Sequence, residues 1–130
     1  MMAKSMMFAT LLTMLATGPA AAQSTAQSVR RDYPGCDLRK QHRLRAPTGG
    51  TIRDPRQAHI AMRANILQAD ISNARKARRL TQAQAQTLWQ QVDRVRRDTN
   101  AAVSRQGFLS GGELASYDRA LDMVAARLCR

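Results

Sequence analysis

From Ile60 the chain carries apolar residues at alternating steps of four and three: Ile60, Ala64, Leu67, Ile71 and Ala74. That period draws a single apolar stripe along an α-helix. Just ahead of it, Asp54-Pro55-Arg56-Gln57 supplies a capping aspartate, a proline at the first helical position and a glutamine at the third. Two further stripes follow, Ala85, Leu88, Val92, Val95 and then Leu114, Tyr117, Leu121, Val124, Leu128. Neither Pro nor Gly interrupts residues 82 to 106, and Gly107 is placed to end that run as a C-cap. The pattern predicts helices over about 55–78, 82–106 and 111–128.

The second and third stripes open on the same phrase, offset by 29 residues. Thr81 and Gln84 form a capping box, in which the hydroxyl takes a backbone N–H and the glutamine side chain reaches back; Ser110 and Glu113 repeat it. Leu80 with Ala85, and Leu109 with Leu114, stand at hydrophobic-staple positions. The repeat is therefore an instruction for two helix–turn–helix corners. Three helices joined by tight turns bury their stripes by lying antiparallel, so the expected fold is all-α, an up-down-up three-helix bundle. At about 1.5 Å per residue it is roughly 30–35 Å long. Cys129 then lies at the pole opposite Asp54.

Residues 23–53 read differently. Pro34-Gly35 and Pro47-Thr48-Gly49-Gly50 are turn formers, and Arg39 to Arg45 is a basic run. The expectation is a mostly irregular segment with a short ordered piece between Asp37 and Leu44. Residues 1–22 read as a secretory signal peptide: Lys4, an apolar run from Met6 to Ala16, a Gly18-Pro19 break and then Ala20-Ala21-Ala22 before Gln23. The apolar run is about half the 20 residues a spanning helix needs. The organisation expected is signal peptide 1–22, basic segment 23–53 and helical domain 54–130, with a periplasmic or secreted location.

Export changes the meaning of Cys36 and Cys129, the two cysteines of the chain. In an oxidising compartment an intramolecular bridge is the expectation, with an intermolecular bond or two free thiols as competing states. A bridge would draw Cys36 to the far pole and strap residues 37 to 53 back along the helices.

Charge adds a partner class. The chain has 130 residues and a net charge of +12, and 18 of its 21 basic residues are arginine. Such a field attracts polyanions, whether lipopolysaccharide, anionic glycans, nucleic acid or acidic proteins; arginine-rich helices also simply solvate a small domain. The candidate binding surface is Arg39, Lys40, Arg43, Arg45, Arg75, Arg78, Arg79 and Trp89. Trp89 beside Leu88 either seals the core edge or projects as an interface anchor.

No motif points to catalysis, a cofactor or a metal. His42 and His59 lack partners at ligand spacing and read as surface residues. The two turns lack the spaced carboxylates of a calcium loop. Asp93, Asp118 and Asp122 read as surface ion-pair partners of Arg94, Arg96, Arg97 and Arg119, and Ser104, Ser110 and Ser116 have no histidine at a motif spacing.

The stretch Leu80-Thr81-Gln82-Ala83-Gln84 resembles the LTxxQ motif of the Spy/CpxP-like periplasmic proteins, and the corner also resembles the GxLTxxE helical hairpins of secreted proteobacterial proteins. The first resemblance implies an all-helical exported protein acting as an ATP-independent chaperone or stress sensor, and lends no catalytic or ligand residue. The second copy, Leu109 to Glu113, departs from LTxxQ at both Thr and Gln, and the cysteine pair is no part of that pattern. The reading reached is a non-enzymatic exported protein that binds macromolecules, as a chaperone or accessory factor, or else a binder of anionic envelope polymers.

Overall fold

A computed structural model describes residues 20–130; residues 1–19, most of the expected signal peptide, lie outside the described part. The described chain is all-α. Five helices appear in order: α1 Ala20–Asp32, α2 Leu38–His42, α3 Pro55–Lys76, α4 Gln82–Gln106 and α5 Gly111–Leu128, with a 3-10 turn at Pro34–Cys36 between the first two.

Both corners carry the capping boxes that the repeat encodes. Thr81 Oγ1 accepts from Gln84 N at 3.1 Å while Gln84 Oε1 accepts from Thr81 N at 2.9 Å. Ser110 and Glu113 make the same reciprocal pair at 3.1 and 2.8 Å. Gly107 ends α4 at φ 86°. The expected end of the first long helix at residue 78 is corrected: α3 stops at Lys76, and Arg78 takes the left-handed conformation at φ 59°. The N–H of Arg79 returns to the carbonyl of Ala74, and that of Arg78 to Arg75, both at 2.9 Å. This Schellman closure normally recruits glycine, because a Cβ is strained at positive φ. Here an arginine occupies it.

The long helices α3, α4 and α5 pack pairwise around one core. Its fully buried members include Ile60, Leu67, Ile71, Val92, Leu109, Leu121 and Val124. Side-chain bonds give the directions. Gln57 meets Asn100, Arg96 meets Asn65 and Gln68, and Arg75 meets Gln82, so α3 and α4 run antiparallel. His59 meets Asp118 and Arg63 meets Asp122, so α3 and α5 run the same way. Asp54 ties the first pole together: its carboxylate accepts from Arg56 N, capping α3, and from Leu109 N in the α4–α5 corner at 2.8 Å.

The Cys36–Cys129 disulfide closes the other pole, with the two Cα atoms 5.8 Å apart. The segment before α3 is more ordered than its composition led us to expect. Ala20 to Asp32 is helical, because the turn formers start only at Pro34 and the preceding residues include good helix formers. The ordered piece is α2, capped by Asp37. Irregular chain is confined to the stretch between α2 and α3, where Gly49 and Ile52 exchange backbone bonds of 2.9 and 3.0 Å across a tight turn. Nor does the disulfide act alone. Tyr33 is buried in the core, and Gly35 N–H donates to the buried Asp70 carboxylate at 2.7 Å. Residues 33–53 thus form a strap fixed at several points.

Candidate functional site

Two charges stand on the stripe that packs α3. Ile60, Arg63, Leu67, Asp70 and Ala74 share one 3-4-3-4 series, so Arg63 and Asp70 face inward with their apolar neighbours. On α5 the series Leu114, Asp118, Leu121, Ala125, Leu128 does the same for Asp118. A buried ion is tolerable only when paired. Because α3 and α5 run in one direction, the i,i+4 pair His59/Arg63 falls level with the i,i+4 pair Asp118/Asp122. Arg63, fully buried, donates to Asp118 Oδ1 at 2.6 Å and to Asp122 Oδ1 at 2.7 Å.

The strap joins this network from outside. His42 Nε2, from the end of α2, meets both Asp122 oxygens at 2.9 and 2.8 Å. His59 Nε2 meets Asp118 Oδ1 at 2.9 Å, and His59 Nδ1 meets the Leu44 carbonyl at 2.8 Å. Burial alone would raise the Asp118 pKa, but hydrogen bonds from His59 and Arg63 outweigh it and hold the carboxyl below its ordinary 3.8. Asp118 is therefore an ionised acceptor, and a carbonyl can only accept. Both ring nitrogens of His59 must carry protons, which makes the ring an imidazolium. Its pKa is accordingly raised above 6.5, chiefly by the bond to Asp118, against the opposing effect of burial. Held this way, the protonated ring has no free lone pair, and it latches the strap by joining Asp118 to the Leu44 carbonyl.

These placements correct two expectations, for His59 and for Asp118 with Asp122, and keep His42 at the surface. His59 is buried, not a surface residue. His42 is exposed but bonded to Asp122. Asp118 and Asp122 pair with Arg63 of α3; Asp93 does pair on its own helix, with Arg97. Charges on an apolar stripe were the signal that could have found the network.

The candidate binding residues divide among separate surfaces. Arg43 and Arg45 line a groove of about 550 Å³ together with Arg56, His42 and His59, over the ion network. Its one carboxylate, Asp118, is already neutralised by Arg63 and His59. Arg39 and Lys40 are exposed on α2 beside this groove; the Arg39 carbonyl accepts from Arg43 Nε, and Lys40 pairs with Asp37 at 3.8 Å. Arg75 and Trp89 meet instead in a groove of about 450 Å³ between α3 and α4. Trp89 is 43% exposed, at the edge of the core and not within it. Arg78 is exposed on the α3–α4 turn, and Arg79 stacks on the Tyr33 ring at 4.8 Å.

Across the whole described surface the two signs of charge are segregated by depth. Of the 20 basic residues in 20–130, 18 are exposed, the exceptions being Arg63 and Arg96. Of the nine acidic residues only Asp32 and Asp98 are exposed. Six of the rest cap helices or bond inward, as Asp54, Asp70, Glu113 and Asp118 do, and Asp93 pairs with Arg97 along α4. Comparison of the chain with family models, curated proteins and solved structures finds no match. Among the described residues, no helix is long and apolar enough to cross a membrane, and no group of three or more His, Cys, Asp or Glu is placed to hold a metal ion.

Proposed function

We propose that the protein is an exported, non-enzymatic binder of anionic envelope polymers, built as an antiparallel three-helix bundle with a basic strap. The observation that carries this reading is the segregation of charge: cations face solvent while carboxylates are drawn inward. The field met by a partner is therefore more positive than the net charge implies. The strap matters because Arg39, Lys40, Arg43 and Arg45 sit on chain held by the disulfide and the His59 latch, so they are presented without the entropy loss of ordering a free tail. A paired Cys36–Cys129 suits an oxidising compartment, in keeping with residues 1–22 serving as a cleaved signal peptide. A chaperone-like reading that uses apolar contacts draws support from Trp89, but Leu38, Phe108 and Met123, the other exposed large apolar positions among the described residues, are scattered singly.

Salt separates the two readings. Affinity for heparin, a sulfated-glycan stand-in, is expected to fall at least about a hundredfold between roughly 50 and 200 mM salt, the consequence of releasing counterions at four or more contacts. A loss under about tenfold would favour apolar recognition instead.

A further inference from the structure

Between the end of α2 and the start of α3 the strap has a narrow hold on the long helices. Among the described residues, one hydrogen bond ties residues 43–53 to α3, α4 or α5: the Leu44 carbonyl accepts from His59 Nδ1 at 2.8 Å. The other bonds of this stretch stay within the strap, from Arg43 to Arg39 and Lys40, from Leu44 to Gln41, and between Gly49 and Ile52. Arg43 and Arg45, the strap arginines that line the groove of about 550 Å³, flank Leu44 on either side. The placement of both therefore depends on the protonation of one ring.

A neutral imidazole carries a single N–H. Asp118 is ionised and also held by Arg63, so the charge-assisted bond at His59 Nε2 keeps that proton. Nδ1 then turns a lone pair toward the Leu44 oxygen, and two acceptors 2.8 Å apart repel. The carbonyl must leave, and the backbone on either side moves with it. His42 differs, because one N–H on its Nε2 satisfies the contact with Asp122. The charged groups facing His59 are Asp118 of α5, Arg63 and Arg56 of α3, and Arg43, Arg45 and His42 of the strap. We propose that His59 is a positioning residue that makes polyanion binding pH-dependent: the doubly protonated ring fixes Arg43 and Arg45 over the groove, and loss of one proton frees them. The raised pKa of the ring places that release above 6.5. The inference rests on the polymer-binding reading and adds a control to it.

Heparin affinity of the oxidised protein, followed from about pH 6 to about pH 9 at about 100 mM salt, tests the proposal. The wild type should lose affinity about tenfold over that range, the effect of about one phosphate-type contact. His59→Gln, which does not titrate, should bind as the alkaline wild type does and change less than about twofold. His42→Gln should keep most of the decline. Far-ultraviolet circular dichroism checks that both variants keep their helices. The latch itself is read by NMR in the wild type, with no variant needed. The Arg45 amide shares a peptide group with the Leu44 carbonyl, so its signal should shift with the same midpoint as the His59 ring. Equal declines in the wild type and His59→Gln, a decline that vanishes in His42→Gln, or an Arg45 amide that ignores the ring's titration would each overturn the proposal. Salt-sensitive heparin binding that does not change with pH would overturn it alone and leave the polymer-binding reading standing. Absence of salt-sensitive binding at every pH would overturn both.

Discussion

Gly35 shows how far one missing methyl group can matter. A Cβ built there would come within 2.8 Å of both Asp70 Oδ2 and Leu67 Cδ2, while its own N–H holds the Asp70 carboxylate. Gly35→Ala should therefore destabilise by about 1–3 kcal/mol through overpacking. Gly49→Ala, with nothing within 4 Å of the added carbon, should leave stability nearly unchanged. Thermal denaturation of both variants checks the pair; equal melting temperatures would mean that the strap does not dock through Gly35. Asp70 was legible in principle, since it shares the stripe of Leu67 and Ala74, yet its partner lies 35 residues away. The same holds for Arg63 and Asp118. Stripe positions reveal that a charge is buried, but local spacing cannot say which distant residue answers it. The capping boxes were legible for the opposite reason: both halves of each lie within four residues.

At the scale of elements, α3, α4 and α5 were readable because stripe, cap and breaker agreed along each segment. The strap was readable only in outline, from the cysteine pair and the short piece between Asp37 and Leu44; its docking was not, because its order comes from contacts with α3 and α5. Its latch gives a pH dependence with a definite sign. His59 has a raised folded-state pKa, so its stabilising contacts are fully present below its ordinary 6.5 and are lost as pH rises through the raised value. Asp118 has a lowered folded-state pKa, so its contribution is present above 3.8 and is lost as pH falls through the lowered value. The network is strongest between these limits. Melting temperature should decline as pH rises from about 6.5 into the alkaline range, and His59→Gln should flatten that decline. A decline of the same size in the variant would place the titration elsewhere.

The whole molecule is closed by one covalent loop. Cys36 and Cys129 are 93 residues apart, and in the chain-entropy description such a loop stabilises by roughly 4–5 kcal/mol. Reduction should lower the melting temperature and expose the strap arginines to trypsin, while most helical circular dichroism persists because the α3, α4 and α5 stripes still pack. Loss of all helical signal on reduction would contradict that separation of strap from core. The central claim is that the strap displays cations for a polyanion, and it is tested most directly by heparin affinity as a function of salt. The comparison is between the wild type and the variant in which Arg39, Lys40, Arg43 and Arg45 are all glutamate. Both should keep the same helix content. The variant should bind at least about a hundredfold more weakly near 100 mM salt, with a slope of log affinity against log salt shallower by about three to four. An unchanged affinity and slope would contradict the account and remove the strap from the binding surface.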